Sequence, residues 1–136
     1  MPCAPALPPM LRAEDIRAVG NDAVEWGSHT ASHGFLDRVS DAELEREVSD
    51  SKQRLEAVTS HAVRLLAFPN GYYDGRAGAA VERAGYMGAF TVRGALIGRL
   101  AKRFEAPRFD VGGHPTQMLK LELTGVLESL RRLRAA

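Results

Sequence analysis

Cysteine is almost missing from this chain: the only one is Cys3, so no internal disulfide can hold the fold. That fits a reducing compartment. Surplus charge is missing too. The formal net charge is +1, with the basic residues spread out apart from Arg131, Arg132 and Arg134 near the end. No strong field gathers nucleic acid or anionic lipid, and neither is expected as a partner. No apolar run approaches the roughly 20 residues needed to cross a bilayer. The opening MPCAPALPPM is Pro-rich, lacks a basic n-region and is too short for a secretory h-region. As given, the chain reads as soluble, unexported and cytoplasmic.

What remains is ordinary for a globular protein. At 136 residues, with 45% apolar and 26% charged side chains, there is material for one core and not for two. Residues 1–9 read as a flexible leader and 10–136 as a single domain. The pattern predicts a short amphipathic helix over 11–19, with Gly20 as its cap, and a short strand over 23–26 that stops at Gly27. Ser40-Asp41-Ala42-Glu43 is a capping box, and it opens the clearest helix, 41–58. Leu44, Val48, Leu55 and Val58 form the apolar stripe of that helix, and its charges form the wet faces.

A buried-type strand over 63–68 ends at Pro69-Asn70-Gly71, a strong turn signal. A helix over 75–84 with Gly85 as its cap, a strand over 86–92 and an irregular stretch over 93–106 follow. A last short strand is expected over 108–111, and a helix over 116–134. Strands alternating with helices predict an α/β fold with a parallel sheet or barrel. Loops at strand C-termini carry the chemistry in such folds, here 27–36, 69–74 and 110–115.

The first of these loops holds His29 and His33 in EWGSHTASHGFL. Two imidazoles four apart on a turn can face one cation, with Ser28, Thr30 and Ser32 orienting them. Two readings stay open at this point: a metal site, or two ordinary loop histidines. A catalytic zinc takes three protein ligands, and the chain has no Asp-Asp pair and no second H-x-x-x-H. Asp22, Asp37, Asp74, Asp110 and His114 are the nearest candidates for the third, each equally readable as a cap, turn or surface residue. In FPNGYYD (68–74) the tight turn can aim backbone N–H groups at an oxyanion. Tyr72 and Tyr73 can wall a sugar ring there, or Asp74 can simply cap the next helix.

Taken together, these stretches resemble the polysaccharide deacetylase family, the NodB homology domain of carbohydrate esterase family 4. EWGSHTASHGFLDRVSDAELEREVSDSKQRLEAV is similar to its S-H-T-x-x-H segment and the long helix that follows. FPNGYYD is similar to its F-x-Y-P-Y-G-x-Y-D loop, AAVERAGYMGAFTV to its V-x-x-A-G-Y-x-x-A-x-T-V, and PRFDV to its late P-R-x-x-V strand. The likeness runs over about residues 10–112 with order and spacing kept.

The resemblance implies a partial, distorted (β/α) barrel of parallel strands that lacks the first strands of the family domain. It implies a divalent metal, expected to be zinc, with His29 and His33 as ligands. It implies hydrolysis of N-acetyl or O-acetyl groups on an acetylated glycan. Asn70 would supply an oxyanion N–H, and Pro69, Gly71, Tyr72 and Tyr73 a substrate wall. Arg108 belongs to a late segment near the site, and His114 stands closest to the family's late histidine, although in G-G-H-P rather than on a strand. The family's T-F-D-D, which carries base and ligand aspartates, is absent, and Ala67-Phe68 replaces the usual arginine before the Pro-containing loop. Without the T-F-D-D base, two non-catalytic readings stand beside the hydrolase. One is a glycan- or metal-binding remnant. The other is an α/β subunit that forms a homo-oligomer through an open sheet edge.

Overall fold

The computed structural model describes residues 10–19, 24–98, 102–109, 120 and 123–125. The expected leader (1–9), Gly20, most of the helix over 116–134, and Asp22, Asp110 and His114 lie outside these residues. Along the chain come α1 (Ala13–Val19), α2 (Asp41–Thr59), β1 (Leu65–Ala67), a 3-10 turn (Pro69–Gly71), α3 (Gly75–Arg83) and β2 (Gly88–Phe90).

Helix α2 starts where the capping box places it. Ser40 Oγ accepts from the Glu43 N–H, and the Ser40 N–H donates to Glu43 Oε2 at 3.0 Å. Each side chain thus satisfies a backbone donor that the first turn leaves open. Helix α3 is opened by Asp74, whose Oδ1 accepts from the Ala77 N–H at 3.0 Å. At its other end Gly85 has φ +77°, the Gly85 N–H donates to Glu82 O and the Tyr86 N–H to Val81 O. This is a Schellman closure, with glycine one place beyond the Ala84 cap.

All observed strand pairing is parallel. Leu65, Leu66 and Ala67 pair with Gly88, Ala89 and Phe90. Ser28 bridges to Leu66 on one side, and Ala106 bridges to Phe90 on the other. The order Ser28 segment, β1, β2, Ala106 segment follows the sequence, with α3 crossing between the paired strands. That arrangement is an arc of a (β/α) barrel, as the α/β reading expects.

The strands are shorter than the apolar runs suggest, and the reasons are local. The Val63 N–H donates to Glu56 Oε1 at 2.9 Å, and Lys52 Nζ donates to Val63 O. Side chains of α2 therefore take the bonds that a longer strand would use, and β1 begins at Leu65. The Tyr86 N–H is spent on the α3 closure, which delays β2. Beyond Ala106 the Arg108 N–H donates to Arg93 O, past the end of β2, so the pairing on that side stays a single bridge. The strand expected over 23–26 is corrected: residues 24–27 form no strand, and pairing falls on Ser28. Ser28 is fixed there by backbone bonds to Leu65 O and from the Ala67 N–H, and by its hydroxyl, which donates to Ser51 Oγ at 2.8 Å. At the last expected strand, residues 108 and 109 are irregular and the remainder lies outside the described residues.

The core gathers Leu36, Leu44, Val48, Leu66, Phe68 and Val81 with Ala77 and Ala80 of α3. The apolar stripe of α2 is thus half right. Leu44 and Val48 are buried, Ser51 continues the buried line, and Leu55 is half-buried against the core. Val58 instead lines an open groove of about 260 Å³ with Leu55, Arg54 and the 27–31 loop. No helix among the described residues is long and apolar enough to cross a membrane.

Leu44→Ala is expected to lower stability by about 2–4 kcal/mol, and half-buried Leu55→Ala by about half as much. Urea unfolding of both variants checks the ranking, and equal losses would place Leu55 in the core.

Candidate functional site

Everything in the His loop is hung from Ser28. Its hydroxyl is buried and sits in a polar chain: Ser51 Oγ donates to Val48 O at 2.9 Å, and the Tyr86 hydroxyl donates to the same carbonyl at 3.1 Å. Burial pushes the Tyr86 hydroxyl pKa up, so it stays a neutral donor. One residue later the chain leaves the sheet edge and His29 emerges into solvent.

The His29 ring is oriented by the neighbouring strand. Its Nδ1 lies 2.7 Å from Ala67 O, and a carbonyl only accepts, so Nδ1 carries the proton. In the neutral ring that leaves the Nε2 lone pair available to a cation. The His33 ring stands with its centroid 4.8 Å from that of His29, at 77°. Two imidazoles this close, both exposed at a strand exit, can converge on one ion.

The turn between them is strained and tied down. Thr30 and His33 have φ +69° and +62°, a region L-residues seldom occupy. Glu47 of α2 offsets the strain. Its Oε2 accepts from the Ala31 N–H at 2.9 Å and the Ser32 N–H at 2.8 Å. The Thr30 hydroxyl accepts from the His33 N–H at 3.1 Å. Burial alone would raise the Glu47 carboxyl pKa, but the bonds from Ser32, Ala31 and Thr30 outweigh it and hold the group below its ordinary range.

The second loop meets the first at the same edge, since the carbonyl that holds His29 lies two residues before Pro69. Pro69 is buried, and Asn70 has φ +51°. No hydrogen bond from the Asn70 N–H is found among the described residues. Gly71 makes the turn possible: φ is +71°, and a Cβ there would lie 2.2 Å from Val92 Cγ2. Tyr72 is exposed and meets Phe35 of the His loop edge to face, with centroids 5.1 Å apart. Tyr73 turns the other way and stacks on Phe68 of the core at 4.7 Å. The two tyrosines expected to share one wall thus face different surroundings.

The remaining candidates that lie among the described residues are not drawn in. Arg108 is exposed, and its N–H donates to Arg93 O beside β2. Its side chain makes no hydrogen bond or ion pair among the described residues. His114, Asp22 and Asp110 lie outside those residues. Asp74 is occupied as the α3 cap and by Arg76 Nε at 2.9 Å. Asp37 Oδ1 is buried with no partner among the described residues. Among those residues, no group of three His, Cys, Asp or Glu stands ready for a metal.

Sequence reasoning missed Glu47, which it placed on a wet face. The signal was there: 44, 47, 48 and 51 follow the i, i+3, i+4, i+7 stripe of α2, so Glu47 sits at the border of the buried line.

Because the folded carboxyl of Glu47 lies below its ordinary value near 4.5, its contribution is complete above that pH and fades as pH falls through the folded value. Glu47→Ala is expected to cost about 1 kcal/mol at neutral pH, after discounting for partial exposure. The gap to the parent should close in acid. Melting curves across pH check this, and a gap that does not vary with pH would count against the two N–H bonds.

Comparison with solved structures finds the same arc in larger proteins. A deacetylase of Streptococcus pyogenes, PplD, solved with acetate, aligns with a TM-score of 0.74 at 19% identity, covering 81% of this chain and 50% of that one. A putative polysaccharide deacetylase of Bacillus anthracis aligns at 0.73 and 22% identity, covering 82% and 36%. A pseudoenzyme of carbohydrate esterase family 4 from Bacillus anthracis aligns at 0.58 and 16%, covering 86% and 46%. The chain therefore spans half or less of the length of these relatives, and at such identities the likeness establishes the fold. No curated protein matches the chain. The family model for polysaccharide deacetylase matches residues 10–89, from α1 through the His loop, α2, the Pro69 turn and α3 into β2. That match takes in most of the chain's described elements, and by it the chain belongs to the polysaccharide deacetylase family.

Proposed function

We propose that the chain carries the metal-gripping and oxyanion-facing side of a hydrolase that removes acetyl groups from a glycan. The observation that carries this reading is the oriented pair: His29 with Nδ1 bonded to Ala67 O, and His33 beside it. The donor set fits a divalent cation of the zinc type. One imidazole has its tautomer fixed by a second partner, the arrangement in which ligating histidines are usually held. When bound there, such a cation supplies a polarised acetyl carbonyl and an ionisable water.

The chain's own residues do the rest of what can be assigned. His29 and His33 would hold the ion. The Asn70 N–H donates to the oxygen that gains charge as the acetyl carbonyl is attacked. Pro69 and Gly71 fix that donor in place, and Tyr72 lines the path of the glycan beside it. Arg108 is given no catalytic part.

A second reading has its own support. No third His, Cys, Asp or Glu joins the pair among the described residues, and one structural relative is a pseudoenzyme. Under that reading the chain binds the cation or the glycan without turnover.

His29→Ala and His33→Ala are each expected to cut zinc affinity by at least about tenfold in calorimetry. Unchanged affinity refutes the ligand assignment. Acetate release from N-acetylglucosamine oligomers with added zinc separates the two readings: release that disappears in His29→Ala supports the hydrolase, and zinc binding without release supports the binding remnant.

A further inference from the structure

We propose that Phe35, Tyr72 and Arg38 form a subsite for a neutral sugar ring of the glycan, next to the unit held at the histidines; this rests on the deacetylase reading above. The two aromatic residues come from the two loops of the candidate site, Phe35 two places after His33 and Tyr72 two places after Asn70. Both remain exposed, at 42% and 46%. They meet edge to face with centroids 5.1 Å apart, a geometry that leaves ring surface facing out.

Arg38 completes the platform. Its guanidinium lies 5.1 Å from the Phe35 ring centre and 5.7 Å from that of Tyr72. The side chain is 67% exposed, and its nearest carboxylate, Asp37, stands 3.9 Å away, beyond hydrogen-bond length. A planar set of N–H donors is thus held in place by two rings and left open to hydroxyl oxygens. A sugar ring pairs with such a surface through apolar C–H groups on the aromatics and hydroxyls on the donors.

Charge in this corner argues for a neutral ring over an acidic one. Arg76 is bonded to Asp41 at 2.8 Å and to Asp74 at 2.9 Å, and its guanidinium also donates to Asp37 O. With Asp37 beside Arg38, three carboxylates face two guanidinium groups, so no surplus positive charge draws a uronate.

Binding to the full chain without added metal tests this, using N-acetylglucosamine monomer, N-acetylglucosamine tetramer and a hexuronate tetramer as probes in calorimetry. The neutral tetramer is expected to bind at least about fivefold more tightly than the monomer, and Tyr72→Ala and Arg38→Ala to erase that advantage while Tyr72→Phe keeps it. All three side chains are exposed, and melting curves establish that the variants are folded. Equal affinity for monomer and tetramer, a hexuronate preference, or a tetramer advantage that survives Tyr72→Ala would each overturn the subsite. His29→Ala is read out by zinc affinity and acetate release. Lost zinc affinity or turnover in that variant bears on the metal reading alone, so the two can fail separately.

Discussion

Ser28 is where the chain of dependence begins. Its N–H and C=O are both spent on β1, and its hydroxyl reaches into α2 to Ser51. Those bonds fix the edge of the sheet against the helix, and the next residue is His29. Were the pairing to slip by one residue, the side chains would change faces and the imidazole would turn toward the interior. The site is therefore a by-product of strand register. The ring's second anchor, Ala67 O, belongs to the strand that Ser28 pairs with, so position and orientation come from the same pair of segments.

Around that junction the protein concentrates conformations that a free chain avoids. Thr30, His33 and Asn70 all sit at positive φ without being glycine. Each lies on one of the two loops at the strand exits, and none lies inside an α-helix or a strand. Glu47 holds the first loop from outside through two backbone bonds, while a proline and a glycine hold the second from within. Loops stiffened in these ways hold the imidazoles and the Asn70 turn in place, with little ordering left to be done should a ligand bind.

Much of this was legible in the amino-acid order because the signals were local. The Ser40 box, the Gly85 closure and the Pro69-Asn70-Gly71 stop each rest on a few neighbouring residues, and each sits where its pattern places it. The His pair was visible as a spacing, but its readiness was not: that depends on a carbonyl 38 residues away. Strand lengths were overestimated because apolar runs report burial rather than pairing, and Val63 is buried while bonded to helix side chains. Glu47 was misplaced for a related reason. A carboxylate at the border of a helix stripe reads as solvated until a loop folds over it.

The bonds from Lys52 and Glu56 to the backbone of Val63 have a further meaning for how the molecule assembles. They join the end of α2 to the start of β1 across a very short stretch of chain, so little entropy is lost in closing it. The helix can therefore deliver the first strand of the sheet as soon as its last turns form, before any distant segment has arrived. The parallel partners then have a prepared template to add to, in place of two loose strands that must find each other.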